Sequence, residues 1–168
     1  MGDNTTSDVK ALTARLDLLE AERAVLHTLN RYGHAIDYGL EADWVDCFLP
    51  TGAYDLRFRE KPKAYNPLQG TPTERGARHV GHAQIAAFVA NHTRAPGRWH
   101  KHVLVEPMIT VTGDTARVQS YFLRVDHEDE GKAAIRSFGR YLDRMRRCAD
   151  GQWRFEEGVA EIESTLFR

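Results

Sequence analysis

The chain has 168 residues, 42% of them hydrophobic and 28% charged, which are the proportions of an ordinary globular protein with one core. With 23 basic residues against 24 acidic and a net charge of −1, it offers no field of one sign to draw in nucleic acid or an anionic membrane surface. A small, roughly neutral partner fits better, and neither nucleic acid nor membrane is expected.

The longest apolar runs fall far short of the roughly 20 residues that a bilayer-spanning helix needs. The opening MGDNTTSDVK is polar and has no signal-peptide core, so a cytoplasmic location is expected, with Cys47 and Cys148 as reduced thiols. Gly2 and Thr6 match the N-myristoylation pattern, but so short a pattern often arises by chance. Residues 1–168 read as one domain, with 1–10 as a flexible N-terminus.

From Asp8 to about Ile36, Leu12, Leu16, Leu19, Leu26, Leu29, Tyr32 and Ile36 recur at helical steps, which predicts one long helix or two pieces of one. A short second helix is expected over 41–48, where Trp44, Val45 and Phe48 share a side before Pro50 and Gly52. Residues 53–58 alternate and read as a strand. Residues 59–79 are rich in Pro, Gly, Lys and Arg and read as a long loop, a usual place for a lid or a partner arm. Ile85, Phe88 and Val89 predict a third helix over 81–95.

After that the period changes to two. Runs at 100–111, 115–127, 132–147 and 152–165 are rich in β-branched and aromatic residues and are separated by Gly113-Asp114, Asp129-Glu130-Gly131 and Asp150-Gly151. These are hairpin signals, and they predict a four-stranded antiparallel meander. Helices first and a curved sheet afterwards make an α+β domain, a cone-shaped antiparallel sheet wrapped on the N-terminal helices around an apolar pocket.

The stretch RYGHAID, residues 31–37, puts ionisable groups at the end of the apolar helix. The helix dipole disfavours Asp37 there, so Asp37 either opens the turn Asp37-Tyr38-Gly39 in solvent or points inward to a cation. On the strand HKHVLV, His100, His102 and Leu104 share a face, so His102 faces the cavity if Leu104 does. Paired with Asp37, His102 would be a general base; unpaired, it is a half-exposed strand histidine. Tyr32 lies on the apolar stripe and its hydroxyl needs a partner, either in the core or on a substrate oxygen. Tyr54, Trp44, His100 and Tyr121 are candidates for substrate contact. His100, His102 and Asp37 could also form a two-histidine, one-carboxylate metal site, with His79 and His82 near in sequence; the preferred reading has no metal. No Gly-x-Ser-x-Gly, Gly-x-Gly-x-x-Gly or phosphate-loop motif occurs.

The order of R-Y-x-x-A-x-D at 31–37, G-x-x-x-I-x-x-F at 81–88, His102 with Ile109, G-D-x-A at 113–116, Gly-Arg-Tyr at 139–141 and D-G-x-W-R-F at 150–155 resembles the SnoaL-like group of the nuclear transport factor two-like superfamily. The resemblance covers about residues 15–165. It implies a conical α+β barrel with a deep apolar pocket, no cofactor, and a homo-oligomer, dimer or trimer. In its dehydratase and dehydrochlorinase members a helix-end aspartate and a strand histidine form the catalytic dyad, positions that match Asp37 and His102. Tyrosines of the bile-acid dehydratases match Tyr32 and Tyr54. The chain departs from those enzymes at Glu161, where they carry an arginine, and in the length of the 59–79 loop. The same superfamily holds the β subunits of ring-hydroxylating dioxygenases, which are scaffolds. The resemblance therefore implies a cofactor-free lyase, isomerase or cyclase, with a non-catalytic binding or scaffold subunit as the alternative.

Overall fold

A computed structural model describes residues 2–59, 73–92, 97–128 and 131–164. It contains helices α1 (Gly2–Tyr38), α2 (Glu41–Asp46) and α3 (Gly81–Val89), and strands β1 (Phe48–Arg59), β2 (Thr73–Val80), β3 (His100–Thr112), β4 (Thr115–His127), β5 (Ala133–Arg147) and β6 (Trp153–Ile162). The six strands form one sheet in the order β2-β1-β6-β5-β4-β3.

The helix α1 is a single piece whose turns begin at Gly2, inside the stretch expected as a flexible terminus. Its two halves differ. Val25, Leu29, Tyr32 and Ile36 are buried against the sheet, and the buried Thr28 hydroxyl donates to the Trp153 carbonyl at 2.8 Å, tying the helix to β6. Val9, Leu12, Leu16 and Leu19 continue the same stripe but are more than half exposed, so the periodicity that predicts a core face overstates its length. Gly39 ends the helix at φ 69°, and the Leu40 amide donates back to the Ala35 carbonyl at 2.9 Å. That is the left-handed cap glycine supplies without strain.

The strands β3 to β6 form the expected meander, with Gly113 at φ 57° and Gly151 at φ 80° in the turns. The rest of the sheet departs from expectation in two ways. Residues 73–79, read as loop, form all but the last residue of β2, which pairs antiparallel with β1; as an edge strand with one partner it carries charged residues and shows no apolar alternation. Residues 60–72, the rest of the expected loop, lie outside the described residues. β1 pairs with β6 in parallel, so the sheet is mixed and open, not an all-antiparallel closed cone.

The sheet bends where β3 loses register between Val105 and Met108, beside Glu106 at φ 49°. Its inner face meets α1, α2 and α3 through an aromatic cluster. Trp44 and Phe48 are fully buried, Tyr32 stands 5.4 Å from Trp44 and 5.6 Å from Phe155 between ring centroids, and Tyr141 stacks on Phe122 at 4.7 Å. Edge-on and offset contacts of this kind add about 0.5–1.5 kcal/mol each beyond area burial. A polar clip closes the outside: Arg154 donates to the Asp46 carbonyl at 3.0 Å and Arg31 to the Asp46 carboxylate at 2.9 Å, joining β6, α2 and α1.

Candidate active site

Asp37 sits in the last turn of α1 and is 4% exposed. Its carboxylate is unfavourable at a helix C-terminus, and two donors from one residue of β3 compensate for it. The His102 backbone amide donates to both carboxylate oxygens, at 3.2 and 3.1 Å, and His102 Nδ1 lies 2.7 Å from Oδ1. With Asp37 ionised, Nδ1 carries the proton and Nε2 is left as an acceptor. Of the two local possibilities for Asp37, an exposed turn or an inward pair, the structure has the inward pair.

His102 stands between two spaces. Behind it is an enclosed cavity of about 20 Å³, lined almost wholly by apolar atoms and walled by Leu29, Tyr32, Tyr54, Leu104, Tyr141 and Asp143. In front is a surface cleft of about 310 Å³ between the end of α1 and β3, where Asp37, Tyr38 and Lys101 also lie. The inner cavity has room for about one water, far less than the deep pocket expected, because the aromatic cluster fills the hollow between helix and sheet.

The other candidates divide. Tyr32 and Tyr54 line the inner cavity. Burial pushes both phenols up, Tyr54 to about 12, so both are neutral donors across the ordinary pH range. Trp44 lies behind them, fully buried in the aromatic cluster and outside the cavity lining. His100 is also fully buried, its Nε2 3.6 Å from Asp37 Oδ1, beyond hydrogen-bonding reach. Tyr121 is not a pocket residue: it is 53% exposed. On β4 the buried positions flanking it are Ala116, Val118, Ser120 and Phe122, with Asp126 further on, so position 121 points to the opposite face.

Three residues that the sequence reading passed over belong to this region. Tyr141 and Asp143 alternate on the inner face of β5 and close the cavity floor. The Asp143 carboxyl accepts from the Val159 amide at 3.2 Å, and burial pushes it up to about 8, so it is protonated at neutral pH. An acid in place of an apolar residue in the alternation Tyr141, Asp143, Met145 is the signal that would have found it. His92, just past α3, lies against His100 and His102, with ring centroids 5.2 and 5.8 Å away. Burial lowers His92 to about 4 and lowers His100 as well, so both rings are neutral. Glu161, 4% exposed, is paired with Arg140 at 2.5 Å.

The profile of the SnoaL-like domain matches residues 17–158, most of the chain. The chain belongs to the SnoaL-like family. A search of curated protein sequences returns no match for it. This SnoaL-like protein is similar in fold to a protein from Novosphingobium aromaticivorans assigned as the beta subunit of an aromatic-ring-hydroxylating dioxygenase, at 19% identity over 90% of this chain and 94% of the other, with a TM-score of 0.72. It is also similar to an NTF2-like protein with a cystatin-like fold from the same organism, at 24% identity over 90% and 87%, TM-score 0.69. A third similar structure is ActVI-ORFA from Streptomyces coelicolor, at 17% identity over 85% and 97%, TM-score 0.65. At such identities these likenesses speak for the fold of the SnoaL-like protein alone.

Proposed function

We propose that this protein is a cofactor-independent lyase or isomerase, dehydratase-like, that uses Asp37 and His102 as a general-base dyad on a hydrophobic cyclic substrate. The observation that carries the reading is the doubly held carboxylate: Asp37, 4% exposed, accepts both the backbone and the ring N–H of His102. A carboxylate so held fixes one tautomer and stabilises the imidazolium that forms on proton uptake.

In this reading the ring of the substrate occupies the cleft over His102, and its carbonyl oxygen points toward the small cavity behind it, where Tyr32 and Tyr54 lie. His102 Nε2 takes a proton from the carbon next to a carbonyl. The C–H electron pair becomes the new C=C bond as the β-hydroxyl departs, and the imidazolium returns its proton to that oxygen, releasing water. Without a leaving group, the same proton is returned to another carbon and a double bond migrates. Tyr32 and Tyr54, as neutral donors, would stabilise negative charge on the carbonyl oxygen. A positioned base contributes roughly 10²- to 10⁴-fold. The test is a screen of hydroxylated cyclic ketones followed by ultraviolet absorbance of the conjugated product. Asp37→Asn and His102→Ala should lose at least 10²-fold in turnover while circular dichroism stays unchanged. Full activity in either variant would overturn the reading.

The fold shared with a dioxygenase beta subunit favours a second reading, a scaffold or binding subunit without chemistry. It predicts copurification with a larger partner and no effect of either substitution on function. Either reading allows a homo-oligomer. The exposed 3-4-3 stripe Val9, Leu12, Leu16 and Leu19 suits a parallel pairing of two copies, in which Arg15 of each helix meets Glu20 of the other. Light scattering should show that Leu12→Ser with Leu16→Ser lowers the oligomer mass; an unchanged mass would place the interface elsewhere.

A further inference from the structure

Three imidazoles converge beside the dyad, and three of their ring nitrogens are buried without a hydrogen-bond partner. His92 follows α3, while His100 and His102 sit two residues apart on the inner face of β3. Their ring centroids lie 5.2, 5.3 and 5.8 Å apart, and one ring nitrogen of each lies within 4.8 Å of those of the other two. His92 Nε2 and both ring nitrogens of His100 are buried without a hydrogen-bond partner in the described structure, and the His100 side chain is 0% exposed. An unsatisfied buried polar atom costs about 1–3 kcal/mol, and native proteins seldom leave several together unless an ion or water completes them.

Neutral imidazole is a borderline-soft nitrogen donor. Three of them suit zinc, cobalt, nickel or copper, and not the hard magnesium or calcium ions that require oxygen. Metal–nitrogen bonds of about 2.0–2.1 Å would draw the three nitrogens closer than the 4.8 Å that now spans them. The carboxylate–histidine contact already present at Asp37 and His102 is the outer-shell arrangement that orients a metal-binding histidine.

We infer that His92, His100 and His102 form a binding site for a divalent first-row transition metal ion of the zinc class, and that metal occupancy and the Asp37–His102 base exclude each other. The second half rests on the dyad reading above. His102 has two ring nitrogens: Asp37 holds Nδ1, and Nε2 must accept the substrate's proton. Whichever nitrogen is given to the metal, the dyad is lost. The site is therefore a reversible off-switch and not a cofactor site. Asp37 is not needed as a ligand, which separates this site from a two-histidine, one-carboxylate centre.

The experiment uses the full chain stripped with a chelator. Cobalt(II) is titrated and followed by its visible absorption, and zinc(II) binding is measured by calorimetry. One equivalent should bind with a nitrogen-ligand spectrum. His92→Ala, which leaves Asp37 and His102 in place, should weaken binding by about 100-fold or more, since even loss of an outer-shell partner costs 10- to 100-fold. Measured against each protein's own metal-free turnover, zinc should inhibit the parent but not the variant. Absence of stoichiometric binding, or equal binding in His92→Ala, overturns the site. Full turnover with the metal bound overturns the exclusion. Should the metal-free protein turn over no substrate at all, the dyad reading fails, and the binding titrations still decide the site on their own.

Discussion

Asp143 is a carboxylic acid held where a carboxylate is costly, and replacing it with Asn should stabilise the protein. Its carboxyl stands at about 8 in the fold against 3.8 in the free side chain, because burial penalises the charge and only the Val159 amide offsets it. The unfolded chain has released the proton by pH 5, whereas the folded chain keeps it until about pH 8. The folded state thus binds more protons, and stability falls as pH rises from about 4 to about 8, then levels off. At about 1.4 kcal/mol per pH unit, the cost at pH 7 is about 4 kcal/mol, an upper bound on what Asp143→Asn recovers. Asn keeps the carbonyl that accepts from the Val159 amide. For a chain of this length, about 2–4 °C per kcal/mol converts that gain to a rise of roughly 10 °C in Tm. The assay is thermal unfolding of both proteins by circular dichroism from pH 5 to pH 8. The Tm gap should be small at pH 5 and widen by about 3 kcal/mol equivalent toward pH 7. A gap that stays flat with pH would mean that Asp143 is ionised in the folded protein, and the argument from burial would fail.

Three further substitutions probe the frame that holds the site. A Cβ at Gly139 would overlap the Glu161 carbonyl oxygen and stand 2.9 Å from the Phe122 ring, so Gly139→Ala should cost roughly 3 kcal/mol or more in urea unfolding. Thr28→Val keeps the shape but removes the donor to Trp153 across the helix–sheet seam; a loss of about 1–3 kcal/mol is expected from denaturant midpoints. Trp44→Ala opens a void beside Tyr32 and Tyr54 and should cost about 3–5 kcal/mol, with a measurable change in the near-ultraviolet dichroism of the surviving aromatics.

Local chemistry made much of the fold legible. Alternation from position 100 onward and the Gly-Asp and Asp-Gly pairs mark four strands whose ends agree with β3 to β6 within a few residues, because hairpin pairing joins neighbours in sequence. β2 escaped because TERGARHV is an edge strand with no alternating apolar face to read. The exposed half of α1 carries a real apolar stripe, but no described element packs on it. Tyr121 could have been placed correctly, since Ala116, Val118 and Phe122 set the inward parity of β4 and put an odd position outside.

The sequence by itself determined which residues carry the polar chemistry and which faces they share: Asp37 at a helix end, His100 and His102 on one face of a strand, Tyr32 on the packing stripe. Only the tertiary structure decided that Asp37 turns inward, since 65 residues separate it from the amide and ring that satisfy its charge. The parallel pairing of β1 with β6, the smallness of the cavity and the approach of His92 to His100 and His102 were equally beyond local reading. Each is a meeting of distant segments, set by how the aromatic residues of α1, α2, β1 and β6 fill one shared volume, and no local pattern encodes the outcome of that packing.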